Sequence, residues 1–391
     1  MKKPLYIFLL CSLCFISNVV LANDKGEIDT REIYLVRHAE KQPSSGKDPS
    51  LTETGKKRAQ HLAELLKSRS ISAVYSTQYK RTLETATPLA NQLNLKVQHY
   101  DPRKLKEFAE EIKNASGNVL IVGHSNTTPS LVFLLGGDPH GDIDDSYYER
   151  LYQLNFTGNK VATQLLKTKP QVNRAKPGKI QFNPERFFNG QLKYRMSMRG
   201  KPVGESTHYF KRQGNDFLLH EKTVLKDFNI DADINVVVDG KTFSPKKMEM
   251  KGSMGAPVDI QLAWSDQQVR GHSLMSRAQF KTQGKIKVDR KLSPNVVERT
   301  ASIMLAHLVK LDKQKAFAVQ WYNGYDNTTR DIEISYQGEE KVVVPAGTFD
   351  TYKIRYQGGA PSQLFYIAKG KQPKVVKIEV IASPWLYELI E

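Results

Sequence analysis

Short apolar runs alternate with amphipathic stretches from residue 31 to about residue 156. Five of the runs resemble strands, at residues 33–36, 73–75, 95–97, 119–122 and 151–156. Between them, apolar side chains recur three or four positions apart, the spacing of one helix face, as in Ala59, Leu62, Ala63 and Leu66. Strands separated by such helices are typical of βαβ units, so the pattern predicts an α/β fold with a parallel-rich sheet flanked by helices.

Prolines and glycines refine two of the predicted helices. Pro88 lies inside the pattern formed by Leu83, Ala86, Ala90 and Leu93 and predicts a kink or a new helix start. Thr128 and Pro129 are residue types suited to an N-cap and a first turn, so a third helix should begin there. The pair Gly136-Gly137 should end it.

The pattern changes after residue 167. Residues 168–180 contain two prolines, several charges and no apolar period, which is the composition of a linker. From 181 to 391, short runs rich in aromatic and β-branched residues are punctuated by Gly, Asn and Asp, which favours a mainly antiparallel β domain. One helix is predicted there from about residue 295 to 311. The chain should therefore form two domains, residues 23–167 and 181–391.

The first 22 residues have the pattern of a secretory signal peptide. Lys2 and Lys3 precede a mostly apolar stretch at residues 5–16, and Val20-Leu21-Ala22 offers a signal-peptidase site. The apolar stretch is short for a membrane span, so we expect cleavage and a periplasmic or secreted protein, with an uncleaved anchor as the alternative. Both cysteines lie in this segment, so the mature chain would contain no disulfides, cysteine nucleophiles or thiolate metal sites.

Positive charge is concentrated in the second predicted domain. Residues 171–391 contain 35 basic and 23 acidic residues, against 21 and 18 in residues 23–170. A basic surface attracts anions of many kinds. For an exported protein we expect an anionic envelope surface as the partner of this domain, and no nucleic acid.

Basic side chains follow three of the predicted strands at their carboxyl ends, where ligands bind in parallel α/β sheets. Arg37 and His38 follow the first strand, Arg81 enters the helix after the second, and His124-Ser125 follow the fourth. Two guanidinium groups can clamp a phosphate dianion, and the N-terminus of the following helix adds affinity for anions. A neutral imidazole can attack phosphorus, and a second one can stabilise the transferring oxygens.

The segments LVRHAEK, STQYKRTLETA and VGHSNT are similar to the motif set of the histidine phosphatase superfamily, over roughly residues 31–156. The resemblance implies hydrolysis of a phosphorylated small molecule or glycolipid head group through a phosphohistidine. His38 would be the nucleophile, and Arg37, Arg81 and His124, with Ser125 beside them, would bind phosphate. Neither a cofactor nor a metal is implied, since no ligand cluster with metal spacing occurs. Ser125 stands where the acid phosphatase branch usually has Asp, which favours the branch of the phosphoglycerate-mutase-like and small phosphatases.

In that branch the general acid usually comes from the region between the second and third motifs. Asp101 and Glu107 are the candidates there, and Glu40 is a third. Only 42 residues separate Arg81 from His124, which favours hydrolysis over a mutase reaction.

The second domain resembles an uncharacterised family of exported bacterial β domains. The similarity lies in RMSMRGKPVGEST, EEKVVVPAGTFDTYKI and LFYIAKGKQPKVVKIEV and extends over about residues 180–391. An alternative function therefore stays open: a phosphatase-like protein of weak or no activity that binds the envelope through its basic β domain.

Overall fold

The chain folds around two separate β sheets. The computed structural model describes residues 30–43, 48–158, 160–169, 176–275, 285–310, 313, 316–359, 361–381 and 383–391. The expected signal peptide lies outside these residues, as do positions 170–175 of the expected linker. No helix within the described ranges is long and apolar enough to cross a membrane.

The N-terminal domain contains one mixed sheet with helices on both faces. Its strands are β1 Thr30–Arg37, β2 Ile71–Ser76, β3 Val97–His99, β4 Asn118–Gly123, β5 Arg150–Thr157 and β6 Lys160–Lys167. Its helices are α1 Glu53–Leu66, α2 Lys80–Gln92, α3 Leu105–Asn114 and α4 Thr127–Leu134. The strand order is β3-β2-β4-β1-β5-β6, with β3, β2, β4 and β1 parallel and the last two antiparallel. The predicted α/β class is confirmed.

Several boundaries differ from those predicted. Strand β3 begins two residues later, and α4 begins at Thr127 with Asn126 at its N-cap position. Helix α2 continues through Pro88 without a new start. Strand β6 was not predicted, because its side chains alternate between half-buried and exposed at an edge of the sheet and form no compact apolar run.

The centre of this sheet is apolar on both faces. Residues 33–36 of β1 are at most 1% exposed, as expected for a strand covered by helices on both sides. On one face, Leu62 and Leu66 of α1 pack with Leu89 of α2, and the other face packs against α3 and α4. The rigid core holds the carboxyl ends of β1, β4 and β2 side by side.

The C-terminal domain contains a single 15-stranded sheet. Its strands are β7 Gly190–Met198, β8 Lys201–Gln213, β9 Asp216–Leu225, β10 Ile230–Asp239, β11 Pro245–Met254, β12 Pro257–Ser265, β13 Gln268–Met275, β14 Ile286–Lys291, β15 Val296–Glu298, β16 Phe317–Asn323, β17 Thr328–Val344, β18 Gly347–Gln357, β19 Gln363–Ala368, β20 Val375–Val380 and β21 Trp385–Leu389. The order is β14-β13-β12-β11-β10-β9-β8-β7-β21-β20-β19-β18-β17-β16-β15, and every pair except β15–β16 is antiparallel. Short 3-10 turns occur at Pro184–Arg186, Lys226–Phe228 and Arg299–Ala301.

The helix predicted for residues 295–311 is much shorter in the structure. Helix α5 spans only Ser302–Leu308, and residues 296–298 form strand β15 instead. The β-branched pair Val296-Val297 is buried in a parallel pairing with β16, so tertiary packing overrides the helical period. The Glu298 carboxylate then accepts a hydrogen bond from the backbone N–H of Ala301 and starts the 3-10 turn that leads into α5.

The end of the expected linker belongs to the C-terminal domain. Ile180 is buried in the core of that domain, and Pro177 forms an isolated bridge with Ala318. On the other side of the undescribed positions, Thr168 donates its N–H to the carbonyl of Glu149. The described part of residues 168–180 is therefore packed against both domains.

Candidate active site

Three adjacent parallel strands end level with one another at the candidate site. Arg37 of β1 is opposite Gly123 of β4, and Ser76 of β2 is opposite Val122. The His38 N–H donates to the Gly123 carbonyl at 2.9 Å, which extends the β1–β4 pairing to the candidate nucleophile. A Cβ at Gly123 would lie 2.8 Å from the Tyr100 hydroxyl, so only glycine allows this close approach.

The His38 side chain is buried and held in one orientation. Its Nδ1 lies 2.8 Å from the carbonyl oxygen of Ala39, which can only accept, so Nδ1 carries the proton. The Ala39 N–H in turn donates to Thr85 Oγ1 on α2 at 2.9 Å. The tautomer that results leaves a lone pair on Nε2, which is the atom a nucleophilic histidine needs.

The second histidine is fixed by α2 and the segment that precedes it. Nε2 of His124 lies 3.0 Å from Thr77 Oγ1, and Nδ1 lies 3.5 Å from Nη2 of Arg81. Because the guanidinium can only donate, Nδ1 accepts and Nε2 donates to Thr77. The His38 and His124 rings face each other edge to face, with their centroids 5.6 Å apart. Each motif histidine is therefore in contact with the other.

Arg37 places a buried guanidinium beside His38. Its Nη1 donates to the carbonyl oxygens of Asp144 at 2.7 Å and Tyr147 at 3.4 Å, and the Tyr148 ring stacks 4.2 Å from its Cζ. Its Nε is buried with no hydrogen-bond partner among the described residues, and no carboxylate within them pairs with it. This arrangement leaves N–H donors of the Arg37 guanidinium available to bind an anion.

Arg81 approaches the site from the first turn of α2. Its guanidinium lies 3.6 Å from the Asp48 carboxylate and stacks 4.5 Å from the centre of the Tyr79 ring. The Nε of Arg81 is also buried without a hydrogen-bond partner among the described residues. Arg81 thus contributes a second cation, partly balanced by Asp48.

Both histidines are electrically neutral at neutral pH. Burial and the nearby Arg37 guanidinium lower the pKa of His38 well below its usual range. Burial and the Arg81 guanidinium lower the pKa of His124 to about 4. The site therefore combines two permanent cations with two neutral imidazoles, next to the N-terminus of α4. That combination favours a dianion such as phosphate and keeps the imidazole of His38 nucleophilic.

The remaining predicted residues lie in different environments. Ser125 is half-buried between His124 and the start of α4. Asp101 pairs with Arg103 at 2.8 Å, which lowers the pKa of its carboxyl to about 2. Glu107 is exposed in the first turn of α3. These surroundings keep Asp101 ionised, which does not favour it as a proton donor.

The third candidate acid, Glu40, is committed to an ion pair. Both of its carboxylate oxygens accept from Arg58, at 2.8 and 2.5 Å, and Arg58 is 2% exposed. Arg58 also donates to Thr168. Glu40 thereby ties the loop after β1 to α1, which is a structural role.

Sequence reasoning did not predict the contacts of the loop between α4 and β5, residues 135–149, with Arg37. Through the backbone carbonyls of Asp144 and Tyr147 and the ring of Tyr148, this loop covers the buried Arg37 guanidinium. It carries no motif, and its residues follow His124 by some 20 positions. Nothing in the local pattern links it to Arg37.

The C-terminal domain holds this same loop. Ser362 Oγ donates to Asp144 Oδ2 at 2.7 Å and accepts from the Gly358 N–H at 3.1 Å, and Ser362 is fully buried. Arg355 forms an ion pair with Asp145 at 3.5 Å, and Arg330 Nη1 donates to the Asp142 carbonyl. Asp144 thus contacts the β domain with its carboxylate and the active-site arginine with its carbonyl.

Two family models match different parts of the chain. Residues 33–108 match the model of the histidine phosphatase superfamily (branch 1), a region that includes Arg37, His38 and Arg81. Residues 193–382 match a protein family of unknown function, DUF3108. Part of the N-terminal domain is thus similar to the histidine phosphatase superfamily and most of the C-terminal domain to the DUF3108 family, which confirms the two resemblances predicted from the motifs. No curated protein matches the sequence.

The chain is also similar, over about a third of its length, to several solved structures. A mycobacterial glucosyl-3-phosphoglycerate phosphatase is 16% identical, with 35% of this chain and 98% of that one covered and a TM-score of 0.29. The protein histidine phosphatase SixA, complexed with tungstate, is 14% identical, with 35% and 95% covered and a TM-score of 0.28. Mycobacterial hydrolase 2 is 16% identical, with 37% and 93% covered and a TM-score of 0.29.

Proposed function

We propose that this protein is an exported phosphatase that hydrolyses a phosphomonoester through a phosphohistidine intermediate on His38. The observation that carries the proposal is the fixed tautomer of His38: its protonated Nδ1 donates to the Ala39 carbonyl, and its free Nε2 lone pair lies among two guanidinium groups and His124. Export rests on the signal-peptide pattern of residues 1–22.

The reaction would proceed in two displacements. First, the His38 Nε2 lone pair forms a bond to phosphorus as the phosphorus–oxygen bond to the leaving group breaks, and the leaving oxygen takes a proton to become an alcohol. Then water attacks phosphorus, the phosphorus–nitrogen bond breaks, and inorganic phosphate leaves with the neutral imidazole restored. Arg37 and Arg81 would stabilise the negative charge on the non-bridging oxygens in both steps, and His124 would join them when its Nε2–H turns from Thr77 Oγ1 to a phosphate oxygen.

The source of the proton for the leaving oxygen remains a prediction. Asp101 is the candidate that the topology suggests, but its ion pair with Arg103 works against donation. A leaving group that departs as an anion needs no proton donor, and p-nitrophenolate is such a group. The chemistry of the pocket fits phosphorylated small molecules and phosphorylated glycolipid head groups as substrates, with no metal in the reaction.

The full chain should release phosphate from p-nitrophenyl phosphate. The value of kcat/KM, corrected for ionisation of the substrate, should stay level as the pH falls from about 7 to about 5. The reason is that both histidines stay neutral until the pH approaches their lowered pKa values, whereas a histidine of ordinary pKa would lose activity below about 6.5. Failure of the pure protein to release phosphate across this range would instead support the alternative, an inactive phosphatase-like protein that binds an anionic surface.

The contact between the domains predicts a role for Ser362 in this activity. Ser362→Ala removes the hydroxyl that holds the Asp144 carboxylate, so the Asp144 carbonyl should position Arg37 less well. We expect kcat/KM to fall by about tenfold, a typical effect of losing a hydrogen bond to a charged group. Ser253→Ala is the matched control, because the Ser253 hydroxyl bonds only within the β domain, to the Asn229 carbonyl. Equal kcat/KM values for the two variants would show that the domain contact does not reach the active site.

A further inference from the structure

The β domain contains a cavity of about 500 Å³ that is separate from the phosphatase site. Eight consecutive strands of the sheet, in the order β11-β10-β9-β8-β7-β21-β20-β19, supply most of its lining. The turn at Arg299–Ala301 and the start of α5 close it from the other side. Its volume is in the range of small-molecule binding sites.

One part of the cavity wall is a continuous apolar surface. Its principal side chains come from six strands and α5: Met196, Leu225, Ala232, Ile234, Ile303, Phe365, Ile378 and Trp385. Most of them are almost fully buried from solvent, yet they do not fill the space between the sheet and α5. An apolar chain would gain the favourable free energy of leaving water by occupying this space.

Polar groups gather at another part of the wall. Arg299 stacks 5.1 Å from the centre of the Tyr325 ring, and no described carboxylate pairs with its guanidinium. Burial raises the pKa values of Tyr325 and Tyr387, which also line the cavity. The Glu221 carboxylate raises these pKa values further, and the Arg299 guanidinium lowers them. A cation and two phenol groups are therefore available as hydrogen-bond donors at one end of an otherwise apolar space.

Other buried polar atoms of the lining lack partners within the described residues. These atoms are Nδ1 of His208, whose side chain is 3% exposed, and Oε1 of Gln363. In contrast, Glu221, which also lines the cavity, already accepts from Thr223 Oγ1 at 2.9 Å and lies 3.8 Å from His208. Since buried polar atoms are normally satisfied, the unpaired ones indicate a ligand with polar atoms of its own.

We propose that this cavity binds a long-chain fatty acid, with the hydrocarbon chain against the apolar wall and the carboxylate beside Arg299. Arg299 favours an anion at its own end of the lining, because no described carboxylate forms an ion pair with its guanidinium, whereas Glu221 accepts from Thr223 and lies 3.8 Å from His208. The site is independent of the phosphatase chemistry, so either proposal can fail without the other.

Fluorescence of cis-parinaric acid, a fatty acid that accepts energy from tryptophan, tests the proposal on the full chain. Trp385 lines the cavity, so excitation of tryptophan should give saturable emission from one bound equivalent. Saturated fatty acids should displace the probe, and each added methylene should tighten binding by about fourfold until the cavity is full. Absence of saturable emission would overturn the proposal.

Two variants locate the site. Ala232→Trp should fill the cavity and weaken binding at least about tenfold. Arg299→Gln should weaken binding of the carboxylate about tenfold while leaving binding of the corresponding fatty alcohol unchanged, because only the acid carries a charge. Lys211→Gln, which removes an exposed cation away from the lining, is the matched control. If Ala232→Trp and Arg299→Gln both fold like the wild type, as judged by circular dichroism, and both still bind with full affinity, the ligand binds elsewhere and the proposal is overturned.

Discussion

Replacing His38 by alanine should lower the turnover of p-nitrophenyl phosphate by about 10³-fold or more, the scale seen when a covalent nucleophile is removed. The imidazole is held by the Ala39 carbonyl and buried between Arg37 and His124, and of the two motif histidines only His38 has a free lone pair on Nε2. Acid lability is characteristic of a phosphorus–nitrogen bond. Brief reaction with labelled substrate, stopped without acid, should therefore leave label on the wild-type chain that acid treatment releases.

The matched control is His220→Ala. His220 is a partly exposed histidine of the β domain that pairs with Asp233, far from the phosphatase motifs in sequence and in a different sheet. This variant should retain wild-type turnover and label. Label that persists on the His38→Ala chain would assign the nucleophile to another residue, and His124 would be the first to examine.

The parts of the fold that were predictable from sequence are those in which local pattern and packing agree. Strands β1 and β4 are buried on both faces, so their apolar runs appear directly in the sequence. Strand β6 lies at a sheet edge, and its half-exposed residues give no such run. The prediction of a helix at residues 295–311 was wrong in its bounds for the opposite reason. The sequence does have a helical apolar period there, but Val296 and Val297 pack in a parallel strand pair instead.

The same distinction applies to the candidate site. Arg37, His38, Arg81 and His124 follow strand ends or begin a helix, so topology alone places them at one edge, and the structure brings them together. The contacts that orient Arg37 come from the backbone carbonyls of the 135–149 loop. Carbonyl groups carry no sequence signature, and the Ser362 contact that anchors this loop joins residues 218 positions apart. Such contacts depend on the packing of the two domains, which a motif does not encode.

Arg37→Met should make the protein inactive and more resistant to unfolding. The guanidinium is 3% exposed, and burial lowers the pKa of Arg37. The carboxylates of Asp145, Asp144 and Glu40 oppose this shift only from a distance, since no described carboxylate forms an ion pair with Arg37, so the cost of burying the charge is offset only in part. Methionine is of similar length and carries no charge, so the free energy of unfolding should rise by about 1 kcal/mol, while kcat/KM falls by about 10³-fold. If the proposed function is correct, the chain retains a destabilising cation because phosphate binding requires it.

Arg58→Met gives the opposite result if this reasoning is right. Arg58 is also almost fully buried, but it pairs through two hydrogen bonds with Glu40, so its removal leaves a carboxylate without its partner. We expect a loss of about 3 kcal/mol in the free energy of unfolding. The helical circular dichroism signal in urea is the suitable measurement, because four of the five α-helices in the described residues belong to the N-terminal domain, whereas all three tryptophans lie in the β domain. A fall in the urea midpoint for both variants would mean that Arg37 is a structural arginine like Arg58, and that its buried charge is balanced by the protein itself.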